Sequence, residues 1–393
     1  MLDRPDGAER PLKILMVSAR YLPFTGGTET HVHEVGTRLA DAGHAVTVLT
    51  ADPDSSLPAE ERVGTMQVVR VRAYPKGRDW CLAPGLLRHV AGRVGRESDV
   101  IHIQGYHTLA APFAMLAASL HGTPFVLTFH SGGHSSAARV RARGLQQAIL
   151  GPLASRAAQL IGVSEFEAAH FSTSMGIDRD RFVVVPNGAS LPKADAGATP
   201  CPDRPLVVSL GRLERYKGHH RAIEAFVHLR RKHPGARLRI LGEGPYKAKL
   251  IEMISQHGLS EVATVGAIAA RDRGAMATFL STASLVVLLS DYEAHPVAVM
   301  EALSLGRPVL TSDTSGFREL AERGLVRSLP LETPPEAVAA AMSKQMAHPA
   351  TAAVSLPNWD ECAAKLLAIY RCVVAGKGAA PAPSEMPAMD GAR

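Results

Sequence analysis

The stretch 290–316, SDYEAHPVAVMEALSLGRPVLTSDTSG, limits the folds open to this 393-residue chain more than any other. An apolar run, 285–289, precedes it, and its length and branched residues suit a strand buried on both faces of a parallel sheet. Pro296 suits the first position of a helix, where its missing N–H has no intrahelical partner to lose. That helix carries Glu301 and stops near Gly306, and Val309, Leu310 and Thr311 begin the next strand. The result is a strand, loop, helix, strand unit. Glu293 falls on the loop at the C-terminal end of the first strand, where open α/β sheets bind ligands, and Glu301 falls about a turn and a half into the helix. Two carboxylates so placed can address two ends of one extended ligand.

The same plan recurs along the chain. A strand over 13–18 (KILMVS), a loop with Gly26 and Gly27, a helix over 28–42, a stop at Gly43 and a strand over 45–50 make one βαβ unit. Backbone N–H groups and the helix dipole favour an anion at such a glycine pair, phosphate before others, although a simple tight turn explains the glycines equally well. Further strands are predicted at 67–72, 100–102, 125–129 and 160–164. After a Pro, Ala and Gly-rich connector, a strand over 206–210, a helix over 219–232 and a strand over 238–241 repeat the pattern. The loop GRLERYKG then sets Gly211, Arg212 and Lys217 at a strand end, and two positive charges there suit a pyrophosphate. Two strand-end histidines, His130 in TFHS and His102 in DVIHIQGYH, can hydrogen-bond a hydroxyl. His31 and His33, two apart on a helix, point in different directions and read as ordinary helix residues.

Glu293 and Glu301, with seven residues between them inside YEAHPVAVMEALSLGRPVL, closely resemble the signature of glycosyltransferase family four. The segments GGTETHVHEVGTRLADAGHAVTVLT, GRLERYKG, LGEGP and VPNG are similar to its other landmarks, and the resemblance spans roughly 13–370. It implies an α/β chain of the GT-B fold, two Rossmann-like domains with parallel sheets facing across a deep cleft. The implied division is an acceptor domain over 1–190, a linker over 191–205, a nucleotide-sugar donor domain over 206–357, a helix over 358–375 returning to the first domain, and a disordered tail over 376–393. It further implies a metal-independent retaining glycosyltransferase, of hexosyltransferase type, that moves a sugar from a nucleotide-diphosphate sugar to a hydroxyl. Gly26, Gly27, Gly211, Arg212 and Lys217 would border the diphosphate, and Gly242, Val265 and Gly266 the base. Glu301 would hold the ribose, and Glu293 with His295, Pro296 and Val297 the transferred sugar. Glu293, His130, Arg212 and Lys217 form the implied catalytic set, and His102 and Asn187 are acceptor candidates. His295 stands where relatives often carry an aromatic residue, which leaves the donor sugar open.

The remaining features narrow the classes. The N-terminus lacks the apolar core of a signal peptide and no stretch is long and apolar enough to span a bilayer, so a cytoplasmic location is expected. The four cysteines, Cys81, Cys201, Cys362 and Cys372, lack the spacing of a zinc site. Asp178 and Asp180 form an Asp-x-Asp sequence, but in a turn flanked by Arg179 and Arg181 they read as surface charge. No metal and no cofactor is expected, the nucleotide sugar being a co-substrate. The net charge is +6, and no acidic residue lies between Asp99 and Glu165 while Arg139, Arg141, Arg143 and Arg156 do. Nucleic acid is not expected, because no aromatic-interleaved basic stripe accompanies these arginines. A solvated face, an anionic acceptor pocket and a weak peripheral contact with anionic lipid stay open, as does the acceptor: glycan, small-molecule aglycone or lipid. A nicotinamide oxidoreductase is disfavoured by the missing third glycine of the first loop. A nucleotide-sugar isomerase and a non-catalytic binding protein remain alternatives on the same fold.

Overall fold

The computed structural model describes residues 10–24, 26–74, 83–106, 108, 110–130, 137–269, 272–347 and 356–376, with backbone alone over 137–143. The tail expected to be disordered lies outside the described residues from 377 on, and so does Cys81.

The first half contains β1 (Lys13–Ser18), α1 (Gly27–Asp41), β2 (Ala45–Asp52), β3 (Glu60–Val63), β4 (Met66–Arg72), α2 (Pro84–Ala91) and α3 (Arg93–Glu97). It continues with β5 (Val100–Gln104), α4 (Ala110–His121), β6 (Phe125–Phe129), α5 (Ala137–Ala154), β7 (Gln159–Gly162), α6 (Glu165–Met175) and β8 (Phe182–Val184). The strands lie in the order β3-β4-β2-β1-β5-β6-β7-β8. Neighbours run parallel except at one edge, where β3 and β4 are antiparallel with Val63 opposite Met66. This edge departs from the all-parallel expectation. The sequence EERV is short and polar, so it carries no apolar run for a buried strand to announce itself.

Side chains alternate across a strand, and β1 therefore serves two cores. Leu15 and Val17 pack into the layer that holds Val90 of α2, Met115 of α4, Leu150 of α5 and Phe171 of α6. Ile14 and Met16 pack into the opposite layer, with Val32 and Val35 of α1.

The second half contains β9 (Leu206–Leu210), α7 (His219–Lys232), β10 (Arg237–Leu241), α8 (Lys247–Gln256), β11 (Ala263–Gly266) and α9 (Arg273–Ser281). Then come β12 (Leu285–Leu288), α10 (Val297–Ser304), β13 (Val309–Ser312), α11 (Gly316–Glu322), β14 (Arg327–Leu329) and α12 (Pro335–Ala347). Its strand order is β11-β10-β9-β12-β13-β14, all parallel. The winding reverses between β9 and β12. That is the switch point at which the loops leaving the carboxyl ends of two neighbouring strands diverge and open a crevice.

Residues 185–205 carry neither helix nor strand. The last helix, α13 (Trp359–Val374), begins under the cap of the Asn358 side chain, which accepts from the Glu361 amide, and lies against α1. Its Trp359, Leu366 and Tyr370 are fully buried in the first half's core. The halves also meet through α6 and α11. Glu319 of α11 accepts from the Phe166 amide in the first turn of α6, where unpaired N–H groups favour a carboxylate, and the Phe166 and Tyr292 rings meet edge to face at 5.8 Å.

Candidate active site

The loops after β9 and β12 form one construction. Gly218 has φ 72°, and a Cβ there would run into the carbonyl of Leu289, so only glycine lets the first loop lie against the end of β12. The Asp291 amide donates to the Tyr216 carbonyl at 2.7 Å, and Arg221 donates to the Leu289 carbonyl at 2.9 Å. Gly316 closes the far side: its amide donates to the Glu293 carbonyl at 2.8 Å, and a Cβ would strike the carbonyl of Ala294. A rigid frame thus surrounds Glu293.

Inside it, Lys217 Nζ lies 2.6 Å from Glu293 Oε1, the same oxygen to which Ser290 Oγ donates at 2.9 Å. Burial works against the lysine charge, yet the facing carboxylate more than offsets this and raises the ammonium's pKa. Glu293 is 6% exposed. Sequence reasoning directs Lys217 to the diphosphate and Glu293 to the sugar; here the two bind each other, so an arriving donor must share or part the pair. Arg212 stands at the same mouth, 3.6 Å from Glu214. Pro296 caps α10 without a side-chain hydrogen bond, and the first N–H groups of that helix have no intrahelical acceptor.

Across the crevice lies the start of α1. A Cβ at Gly27 would come within 3.7 Å of Val297, so the glycine loop of the first half and the helix start of the second face each other directly. Burial pushes the Glu29 carboxyl up against the pull of Arg20 and Arg212, which places a carboxylate of the first half opposite the arginine of the second. The segments expected from sequence to border the base are adjacent. Gly211 donates to the Leu241 carbonyl at 3.0 Å and Gly242 to the Gly266 carbonyl at 2.8 Å, which aligns the ends of β9, β10 and β11. Val265 is half-buried beside them.

The histidines part company with the sequence reading. His102 is 0% exposed; its Nδ1 pairs with the Tyr370 hydroxyl at 2.5 Å and its Nε2 with Thr128 Oγ1 at 2.7 Å. Both ring nitrogens serve the junction with α13, so the acceptor assignment of His102 is corrected to a core role. Asn187 is corrected likewise: its Oδ1 pairs with His31 Nδ1 at 2.8 Å and its Nδ2 donates to the His295 carbonyl at 3.2 Å, so it bridges the halves. His31 is no ordinary helix residue. It is 1% exposed, meets the His130 ring at 4.8 Å and the Trp359 ring at 5.9 Å, and leaves its Nε2 buried without a partner. Burial holds it neutral, with its pKa lowered to about 4. His130 Nε2 pairs with Gln104 Oε1 at 2.7 Å. His295 also has its pKa lowered to about 4 by burial, and its Nδ1 has no partner.

Glu301, 5% exposed, is bound as well: Arg273 Nη2 donates to its Oε1 at 2.5 Å. Sequence reasoning missed Arg273, which lies 28 positions earlier on another helix and belongs to no motif. Among the described residues, no three His, Cys, Asp or Glu side chains gather as a metal ion would need. No helix among them is long and apolar enough to cross a membrane.

Residues 25–191 match the family described as Glycosyltransferase Family 4, and residues 196–354 match Glycosyl transferases group 1. The glycogen synthase of Mycobacterium tuberculosis (strain ATCC 25618 / H37Rv) is 31% identical over 339 residues, 80% of this chain and 81% of the relative. The chain belongs to glycosyltransferase family 4. Among solved structures, the sucrose-phosphate synthase of Thermosynechococcus elongatus superposes with a TM-score of 0.75 at 21% identity, over 93% of this chain and 100% of that one. HepE of Anabaena, in complex with UDP-glucose, does so with a TM-score of 0.66 at 19% identity, over 93% and 97%. The two halves are thus the Rossmann-like domains of a GT-B enzyme, and this group 1 glycosyltransferase uses nucleotide sugars.

Proposed function

We propose that the enzyme is a retaining, metal-independent hexosyltransferase, with the donor held by the second half and a hydroxyl acceptor delivered from the first. The observation that carries this reading is the Lys217–Glu293 pair, 2.6 Å apart at the switch point, beside the start of α10 where Val297 meets Gly27 of the other half. A departing nucleoside diphosphate gains negative charge, and Lys217, Arg212 and the unpaired amides at the start of α10 offer positive charge where it develops. As the diphosphate draws Lys217 away, the Glu293 carboxylate becomes available to the sugar. Glu301 accepts from the ribose hydroxyls, and Gly211, Gly242, Val265 and Gly266 border the base. His130, neighboured by neutral His31, faces the sugar hydroxyls, and His295, Pro296 and Val297 line the other side of the sugar. These roles also follow the family resemblance residue by residue.

UDP-sugars are the first donors to test, since the related HepE fold was captured with UDP-glucose. The experiment is a panel of UDP-, GDP-, ADP- and dTDP-sugars with chelator present, reading nucleotide affinity, slow release of nucleoside diphosphate, and the anomeric configuration of any product. Selective binding with release in chelator supports the reading. Activity restored only by a divalent cation, or an inverted product, would each sink its half of it.

A further inference from the structure

Glu301 is the first member of an alternating row of charges that runs out of the donor site and across the molecule. Arg273, on the first turn of α9, lies 2.5 Å from Glu301 Oε1 through Nη2 and 3.4 Å from Glu34 Oε1 through Nε. Glu34 belongs to α1 of the other half, and its Oε2 lies 2.6 Å from Arg38, whose Nε in turn lies 2.6 Å from Asp360 at the start of α13. The inner members are the buried ones: the side chains of Glu301, Arg273 and Glu34 are 6%, 17% and 15% exposed. One guanidinium is therefore shared between carboxylates of two domains in a nearly dry place.

The physics of such a place is demanding. A carboxylate removed from water without a cation takes up a proton and loses acceptor capacity. Burial pushes the Glu301 carboxyl up, Arg273 pulls it back, and Glu34 adds a smaller upward push. A protonated Glu301 would be a poor partner for two ribose hydroxyls, which need an oxygen that only accepts. The guanidinium donates to Oε1 through Nη2, while its Nε makes no hydrogen bond and keeps Glu34 at ion-pair distance, an arrangement lysine's compact charge does not reproduce.

Resting on the ribose reading of Glu301, we propose that Arg273 is a positioning residue for the donor: it keeps Glu301 charged and fixed for the ribose while anchoring it to Glu34 of the acceptor domain. The nucleotide site is then complete only when the two domains are joined, and donor occupancy and domain closure reinforce each other.

The test is a calorimetric titration of UDP, GDP, ADP and dTDP into wild type, Arg273→Met, Arg273→Lys, Glu34→Gln and Glu301→Gln at pH 6 and 8.5, with X-ray scattering of the saturated complexes. For the nucleotide that wild type binds, the dissociation constant of Arg273→Met rises about tenfold over wild type at pH 6 and by less at pH 8.5, because higher pH favours ionisation of a carboxyl that burial pushes up and no cation pulls back. Arg273→Lys falls between, each variant being compared with wild type at the same pH because the nucleotide's own terminal phosphate ionises at about pH 6. Glu34→Gln keeps the wild-type profile and shows a larger radius of gyration when saturated. Arg273→Met or Arg273→Lys binding as tightly as wild type at both pH values, or more tightly, overturns the positioning role, and an unchanged radius for Glu34→Gln overturns the link between domains. Glu301→Gln binding like wild type would fell the ribose reading instead, and binding of none of the nucleotides by wild type would fell the proposed function itself.

Discussion

The two faces of the crevice handle polarity in opposite ways. On the proposed donor face the charged side chains assigned to the phosphates, sugar and ribose are already matched, beside the neutral ring of His295: Lys217 with Glu293 at 2.6 Å, Arg273 with Glu301 at 2.5 Å, Arg212 beside Glu214 at 3.6 Å. On the acceptor face the corresponding groups are neutral rings and amides. His31 is held uncharged by burial, His130 pairs with Gln104, and Asn187 ties His31 to the opposite domain. The difference teaches which interactions must change during turnover. On the proposed reading, a face for a polyanionic leaving group stores its cations in ion pairs that the ligand replaces, whereas a face for hydroxyls offers directional hydrogen bonds that need no charge.

The largest expected effect bears on that exchange. Glu293→Ala should lower turnover by about a hundredfold or more, in line with the loss of one group aimed at a developing charge, while nucleotide affinity stays the same or tightens because Lys217 is released to the diphosphate. Single-turnover rates beside nucleotide titrations check it; weaker binding with intact turnover would reverse the roles assigned to the pair.

Second is the pH response of the neutral rings. His31 and His295 have their pKa lowered to about 4 by burial, well under the unfolded value near 6.5. As pH falls through the unfolded value the unfolded chain takes up protons that the native rings refuse, so stability declines between about 6.5 and 4, by up to about 1.4 kcal/mol per pH unit for each ring. Thermal unfolding from pH 7.5 to 4.5 should show this slope, to which His102, His219 and His220 add through their own lowered pKa values, and His31→Asn should reduce it by one ring's share. An unchanged slope would mean that His31 is charged in the native state and that the contrast between the faces is weaker than drawn.

Smaller still, Glu301→Ala should weaken nucleotide binding about tenfold, with turnover at saturation less affected, as for loss of hydrogen bonds to an ionised partner. Nucleotide affinity untouched by the change would remove Glu301 from the donor face. The smallest effect on activity is expected at Asn187→Ala, which leaves His31 Nδ1 and the His295 carbonyl unpaired at a cost to stability of about 1 kcal/mol or more for each. Chemical denaturation measures it, and a neutral result would show that water replaces the bridge.

Much of the donor face is legible in the sequence, because its groups follow from short-range rules. A buried strand, a glycine-bearing loop and a helix start place Arg212, Lys217, Glu293 and Glu301 near one strand edge whatever the rest of the chain does. The acceptor face is read less well. His31 and His102 sit on regular elements and His130 just past the end of β6, with no local signal to separate their roles; only packing makes His102 a core residue held by Tyr370 and gives His31 a partner in Asn187, 156 positions away. The polar edge strand β3 and the guanidinium of Arg273 escape for the same reason, since neither belongs to a hydrophobic period or a motif.

The sequence by itself therefore determined the parallel αβ plan, its duplication, and the carboxylates and cations at the switch point, because these depend on patterns within about forty residues. Tertiary structure alone decided that Lys217 is stored against Glu293, that Glu301 is tied through Arg273 to α1, and that Tyr370 of α13 holds His102. Those outcomes depend on which side chains meet when two domains and a returning helix exclude water between them, and burial is what turns such meetings into ion pairs and neutral imidazoles.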